Sequence, residues 1–114
     1  MRLQVPTQEE LLRIKGVLIL KRNATRDYLD FAALAERLGP IGIRNALVDF
    51  DALYPQSNGE SALQQLQVQL ADPIPYDLEQ LDLTEYRRLH PKWQDWKRVK
   101  EACASIAIDL FERL

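Results

Sequence analysis

The feature that most constrains the fold is a long stripe of apolar residues toward the end of the chain. The stripe consists of Trp93, Trp96, Val99, Cys103, Ile106, Leu110 and Leu114. Steps of three and four residues place these side chains on one side of an α-helix. This is the cleanest amphipathic pattern in the sequence, and Pro91 suits the first turn of such a helix. The pattern predicts a final helix packed against a helical core.

Helix start and stop signals divide the rest of the chain into further helices. Thr7 and Glu10 have the spacing of a capping box, Thr25 is a suitable N-cap, and Gly39 followed by Pro40 is a typical helix end. The predicted helices cover residues 8–22, 26–38 and 41–53, a segment after the Ser57/Glu60 capping box, a short segment between Asp82 and Leu89, and the final stripe. Residues 17–20 alone could also form a strand, but we prefer helix. We therefore predict an all-α fold, a single domain over residues 1–114 of five or six helices with an N-terminal helical hairpin.

Composition restricts the class of protein. The chain has 114 residues, of which 46% are hydrophobic and 28% charged, as in an ordinary globular domain. No apolar run approaches the roughly 20 residues of a membrane-spanning helix. The first residues lack the apolar segment of a secretion signal. We expect a cytoplasmic protein without a membrane partner.

Single copies of two residue types limit the metal chemistry. Cys103 is the only cysteine and His90 the only histidine, which excludes an internal disulfide and disfavours zinc. Cys103 has apolar neighbours on its stripe and is expected to be buried. We predict no metal site, since any metal would have to be held by carboxylates alone.

Charged residues lie at inward-facing positions of the first two predicted helices. Lys15 follows Leu11 by four residues and precedes Ile19 by four, so it points along the apolar face. Asp27 and Asp30 are three residues apart and are aimed at the inward face of the second helix. Because a buried charge is costly unless it is paired, these side chains are predicted to form one polar cluster, which Arg22 and Arg26 could complete.

Two interpretations of this cluster remain open on spacing alone. It can be a structural ion-pair network that sets the angle between the two helices. It can also be part of a site for phosphate or Mg²⁺, because Lys and Arg neutralise phosphate oxygens and paired carboxylates hold Mg²⁺.

The order of these residues resembles a known family. A lysine, an apolar run, Lys-Arg, a short turn and then Arg-Asp-Tyr-Leu-Asp-Phe resemble the C-terminal motif region of the nucleotidyltransferase-like toxins of the AbiEii/AbiGii family. The resemblance implies a phosphate-contacting, catalytic role for Lys15 and an active-site role for Asp27. It implies supporting or ligand-binding roles for Arg22, Arg26 and Asp30.

The catalytic core of that family has no counterpart in the sequence. No Gly-Ser dipeptide occurs, and Asp49 and Asp51 form the only Asp-x-Asp, at the end of a predicted helix, where they are expected to be solvent-facing or capping residues. The resemblance therefore implies a helical C-terminal-type domain that is inactive alone. It would need no cofactor by itself, and would use Mg²⁺ and a nucleoside triphosphate only if a separately encoded nucleotidyltransferase core joined it; an antitoxin is another possible partner.

Two alternatives come from other classes. The chain can be a structural or protein-interaction module, including a homo-oligomer. It can also bind nucleic acid, because basic residues are interleaved with aromatic ones between residues 86 and 100. The candidate contacts are Arg87, Arg88, Lys92, Lys97 and Arg98. Nucleic acid is the less favoured partner, because the chain carries a net charge of −2 and Trp93 and Trp96 lie on the core stripe.

Overall fold

The computed structural model describes residues 5–80 and 91–113, and all regular structure within them is helical. The α-helices are α1 (Gln8–Arg22), α2 (Thr25–Leu47), α3 (Phe50–Leu53), α4 (Ala62–Ala71) and α5 (Trp96–Arg113). Two 3₁₀ turns span Leu78–Gln80 and Pro91–Gln94. The predicted all-α class and the N-terminal hairpin of α1 and α2 are confirmed. The predicted helix between Asp82 and Leu89 lies outside the described residues.

Local signals explain where α1 begins and ends. The Thr7 hydroxyl accepts a hydrogen bond of 3.1 Å from the backbone N–H of Glu10, as the capping-box spacing predicts. At the other end, Asn23 adopts a left-handed conformation with φ of 49°, and its N–H donates to the carbonyl of Ile19. Asparagine tolerates this conformation better than most residues do. The chain can therefore reverse within two residues and start α2.

Gly39 and Pro40 bend α2 where a helix end is predicted. Gly39 has φ of 72° and ψ of 175°, so the element is two helical segments joined at a kink. Pro40 lacks a backbone N–H but fits the first turn of the second segment. The chain then runs helically to Leu47, earlier than the predicted end at residue 53, and a separate short helix, α3, follows.

The start of α4 differs from the prediction. Ser61, and not Ser57, caps the helix, because its hydroxyl accepts a hydrogen bond from the N–H of Gln64. Asp51 assists from α3, since its carboxylate accepts hydrogen bonds from the Leu63 N–H at 2.8 Å and the Ser61 hydroxyl at 2.6 Å. Ser57 lies in the preceding turn. The expectation that Asp51 is a capping residue is confirmed.

The core lies between two helix pairs. In the tertiary structure α1 packs mainly on α2 and α4 mainly on α5, with further contacts of α1 to α4 and of α2 to α5. The largest buried core side chains come from α1 to α5: Leu12, Ile19, Tyr28, Leu29, Phe31, Leu47, Phe50, Leu66, Leu70, Val99 and Leu110. Gly16 allows the close approach of α1, because a Cβ there would lie 3.0 Å from Leu66 Cδ2 and 3.3 Å from Phe50 Cε2. None of the helices in the described ranges has the length and apolar character of a membrane span.

Candidate functional site

The cluster predicted between α1 and α2 consists of two separate ion pairs in the structure. Arg22 and Asp27 form the first, with Nη2 2.6 Å from Oδ1 and Nε 3.1 Å from Oδ2. The Asp27 side chain is fully buried, whereas that of Arg22 is 48% exposed. The hydrogen bond and charge of Asp27 raise the pKa of the Arg22 guanidinium above its ordinary value. Both carboxylate oxygens of Asp27 are therefore occupied by one bidentate partner.

Lys15 and Asp30 form the second pair. Lys15 Nζ lies 2.9 Å from Asp30 Oδ2, and both side chains are largely shielded from solvent. Asp30 is thus engaged across the hairpin with Lys15, while Arg26, which was expected to help complete the cluster, is exposed. The expected single polar cluster is therefore divided into two ion pairs, in which Lys15 pairs with Asp30 and Arg22 with Asp27.

A third polar network locks the turn between α1 and α2. Tyr28 donates its hydroxyl hydrogen to Asn23 Oδ1 at 2.5 Å, and Asn23 Nδ2 donates to the carbonyl of Ile74 at 2.9 Å. Asp77 Oδ1 accepts hydrogen bonds from both the N–H and the hydroxyl of Thr25. Burial raises the pKa of Tyr28 to about 12. The segment after α4 therefore caps α2 from more than 50 residues away, which the local sequence does not reveal.

Four of the hairpin charges are therefore paired with one another, Lys15 with Asp30 and Arg22 with Asp27. A guanidinium bound edge-on to a carboxylate has fewer donors left for a phosphate, and a buried carboxylate held by arginine is a poor Mg²⁺ ligand. Among residues 5–80 and 91–113, no group of three or more His, Cys, Asp or Glu side chains is arranged to hold a metal ion. These contacts are the ones that a structural ion network would make, and a role of these residues in phosphate or Mg²⁺ binding stays a prediction.

Three of the five candidate nucleic-acid contacts, Lys92, Lys97 and Arg98, lie within the described residues. Lys92 pairs with Glu36 and lies 5.1 Å from the ring centroid of Trp93, and Arg98 Nε lies 3.9 Å from Asp95 Oδ2. Lys97 is exposed. Arg87 and Arg88 lie outside the described residues. Nucleic-acid binding by this segment stays a prediction.

The two tryptophans belong to the packed interior. Trp93 is buried, and Trp96 packs edge-on against Tyr28 with ring centroids 6.2 Å apart. Base stacking needs an open ring face. Trp93 is not placed to provide one.

An apolar groove between α4 and α5 is the feature that sequence reasoning missed. Its volume is about 750 Å³, and its apolar wall includes Leu63, Val68, Ile108 and Phe111. Val68, Ile108 and Phe111 are 72%, 60% and 82% exposed. A signal was present in the sequence: Ile108 and Phe111 are three residues apart and lie beside the core stripe of the final helix, and not on it. We call these four residues and the space between them the α4/α5 groove.

Comparisons with known proteins find similarity to MmpL11 transport proteins and not to the toxin family. It is similar to the heme uptake protein MmpL11 of Mycobacterium tuberculosis, with 38% identity over 113 residues. It is also similar to the mycolic acid-containing lipids exporter MmpL11 of Mycolicibacterium smegmatis, at 33% identity. The probable transport protein MmpL11 of Mycobacterium leprae is 32% identical over 116 residues. Each match covers 97% of this chain but only 11% of the relative.

These similarities correct the resemblance to nucleotidyltransferase-like toxins, which is wrong. The motif around Lys15, Arg22 and Asp27 arises here in a chain whose relatives are transport proteins, so the toxin–antitoxin function is also wrong. The catalytic and supporting roles implied for Lys15, Arg22, Arg26, Asp27 and Asp30 lose their basis with it. No family model matches the chain. No solved structure matches it either.

Proposed function

We propose that this chain is a helical domain that works in an MmpL11-type transport system. The observation that carries the proposal is the extent of the similarity, which runs over 97% of the chain at 38% identity. It therefore takes in the whole core formed by α1 to α5 and not a single motif. Identity at this level over the packed helices α1 to α5 supports a shared role in the larger relatives.

The structure is compatible with a role in assembly of the transport system. The hairpin charges are neutralised by one another, while the α4/α5 groove leaves apolar side chains open to a partner. Contiguous exposed apolar residues on a folded domain typically mark a surface that contacts something else.

The relatives' names give two different cargoes, haem and mycolic acid-containing lipids. The side chains of this chain do not favour either cargo. The α4/α5 groove is bordered by amide, carboxylate and hydroxyl groups in addition to hydrocarbon. None of these is a usual axial ligand of haem iron, which is His, Cys, Met or Tyr. Cys103 is fully buried in the core, where burial raises the pKa of its thiol to about 12. The proposal is therefore made for the transport system and not for one cargo.

A domain-replacement experiment tests the proposal. The matching 11% of the M. tuberculosis heme uptake relative is replaced by this chain, and haem uptake is measured in cells that lack the native protein. We expect uptake well above that of a deletion of the same region. The same replacement in the M. smegmatis exporter is assayed for lipid export.

The controls separate function from expression. The replaced transporter is quantified in membranes by immunoblot, and an unrelated helical domain of similar length serves as a matched insert. If the chimera accumulates normally yet transports no better than the unrelated insert in both hosts, the proposed function is wrong.

A further inference from the structure

The α4/α5 groove is open along its length and has one charged end. Helices α4 and α5 run antiparallel, since Lys100 near the start of α5 lies 3.6 Å from Asp72 just after α4. Phe111 near the end of α5 borders the same groove as Leu63 near the start of α4. The long axis of the groove therefore lies along two helices, a shape that accommodates a third helix laid into it.

The charges around the groove are unevenly distributed. Helix α4 itself contains no Asp, Glu, Lys or Arg. Within the part of the chain whose side chains the structure describes, the charged residues that line the groove are Asp51 and Glu112, and both are acidic. Both lie at the end where α4 begins and α5 ends. At the opposite end, Lys100 is balanced by Asp72.

We propose that the α4/α5 groove binds an amphipathic helix of the MmpL11-type transporter polypeptide, one that carries Lys or Arg at a single end. Its apolar stripe packs on Val68, Ile108 and Phe111, and its basic end lies beside Asp51 and Glu112. Among the side chains that the structure describes, two acidic residues and no basic one line the groove, and this charge complementarity sets the orientation of the bound helix. The choice of source rests on the proposed function, in which the other eight-ninths of each relative is the nearest candidate partner.

The size of the groove favours a tethered helix over a second copy of the chain. A stable interface between separate proteins buries about 1,200–2,000 Å². Three exposed apolar side chains offer only a few hundred Å², which is the patch size of many monomers. A helix in the same polypeptide needs less contact area, because its effective concentration is of the order of millimolar.

The experiment uses this chain and synthetic peptides. Overlapping 20-residue peptides, tiled over the part of the M. tuberculosis relative that this chain does not match, are screened by fluorescence anisotropy. We expect at least one peptide with apolar residues at helical spacing and a Lys/Arg cluster at one end to bind with a Kd between roughly 0.1 and 1 mM, which a millimolar effective concentration would convert into stable docking. Nuclear magnetic resonance shifts on binding should include Val68 and Ile108.

Variants locate the binding. Ile108→Asp should weaken binding at least tenfold, and Phe111→Ser is a second variant at a more exposed position. Ile41→Asp is the matched control, since Ile41 is 71% exposed and does not line the groove. Glu112→Lys should weaken binding severalfold and should lessen its dependence on salt.

Other outcomes overturn the proposal. The first is that none of the tiled peptides binds. The second is that a peptide binds but Ile108→Asp and Phe111→Ser do not weaken its binding. The third is that the peptides that bind carry no Lys/Arg cluster at one end. Self-association at micromolar concentration that Ile108→Asp abolishes would assign the groove to a second copy, and haem binding abolished by the same variant would assign it to cargo. The replacement experiment above can succeed in each of these cases, so failure of this inference is distinguishable from failure of the proposed function.

Discussion

The α1–α2 hairpin and the α4–α5 pair differ in how far their unusual side chains are paired or covered. In the hairpin, the cations Lys15 and Arg22 are engaged by Asp30 and Asp27 from the neighbouring helix. In the α4–α5 pair, apolar side chains such as Phe111 remain exposed beside a largely buried stripe. The charges at inward-facing positions made the hairpin the candidate site, but in the structure Lys15 and Arg22 are paired with aspartates. The surface that still exposes apolar side chains to a partner is the α4/α5 groove, which contains no recognisable sequence motif.

The largest expected effect tests the hairpin. Arg22→Ala leaves the fully buried Asp27 carboxylate without its bidentate partner, so it should lower the free energy of unfolding more than Lys15→Ala or Phe111→Ser does. Urea denaturation followed by circular dichroism measures this. Asp27→Asn should cost less, because Arg22 is 48% exposed and can be hydrated. Equal stability of Arg22→Ala and the wild type would show that the pair is not structural.

Alkaline pH should lower the free energy of unfolding through Tyr28 in α2 and Cys103 in α5, which are buried in the shared core. Burial raises the pKa of Cys103 from 9.0 to about 12 and that of Tyr28 from 10.0 to about 12. The unfolded chain therefore loses these protons first, and stability is full below pH 9 and falls as the pH rises toward 12. The loss should be on the order of 3–4 kcal/mol by pH 11, most of it from Cys103. Denaturation midpoints of the wild type, Cys103→Ala and Tyr28→Phe measure it, and both variants should show a shallower decline.

Lys15→Ala should have a smaller effect than Arg22→Ala. The Lys15–Asp30 pair is partly exposed at both ends, so its loss should cost about 1 kcal/mol or less. A thermal denaturation series at low and high salt measures it, and added salt should reduce the difference from the wild type. A cost of 3 kcal/mol or more would contradict the distinction drawn between the two ion pairs.

The smallest expected effect on stability belongs to the α4/α5 groove. Phe111→Ser removes an apolar side chain that is 82% exposed, so the free energy of unfolding should change by no more than about 0.5 kcal/mol. The comparison between the regions thus predicts variants that alter stability in the hairpin and variants that alter binding in the groove. A marked loss of stability in Phe111→Ser would show that the groove is part of the core.

Local signals in the sequence were sufficient for much of the fold. The Thr7 cap, the break at Gly39 and Pro40, and the final apolar stripe each act within a few residues, so their consequences follow from helix geometry. The α4 cap was misassigned because two serines four residues apart both satisfy a local rule. Only the position of Asp51 in α3 shows why Ser61 is used.

The resemblance to a toxin family failed for a related physical reason. Inward charges at helical spacing are required by any hairpin that buries ion pairs, so Lys15, Arg22 and Asp27 are compatible with many functions. The similarity over nearly the whole chain corrected this interpretation. The cytoplasmic location, the possible homo-oligomer and the single domain over residues 1–114 stay predictions.

The sequence by itself determined that the chain is helical, roughly where most helices lie and which of their faces are apolar, because these properties depend on residues within one or two turns of each other. The tertiary structure alone decided which carboxylate meets which cation, how Asp77 caps α2, and which apolar residues remain outside the core. Those outcomes depend on side chains separated by tens of residues. A periodicity records that an apolar face exists, but the packing of the other helices determines how much of that face is covered.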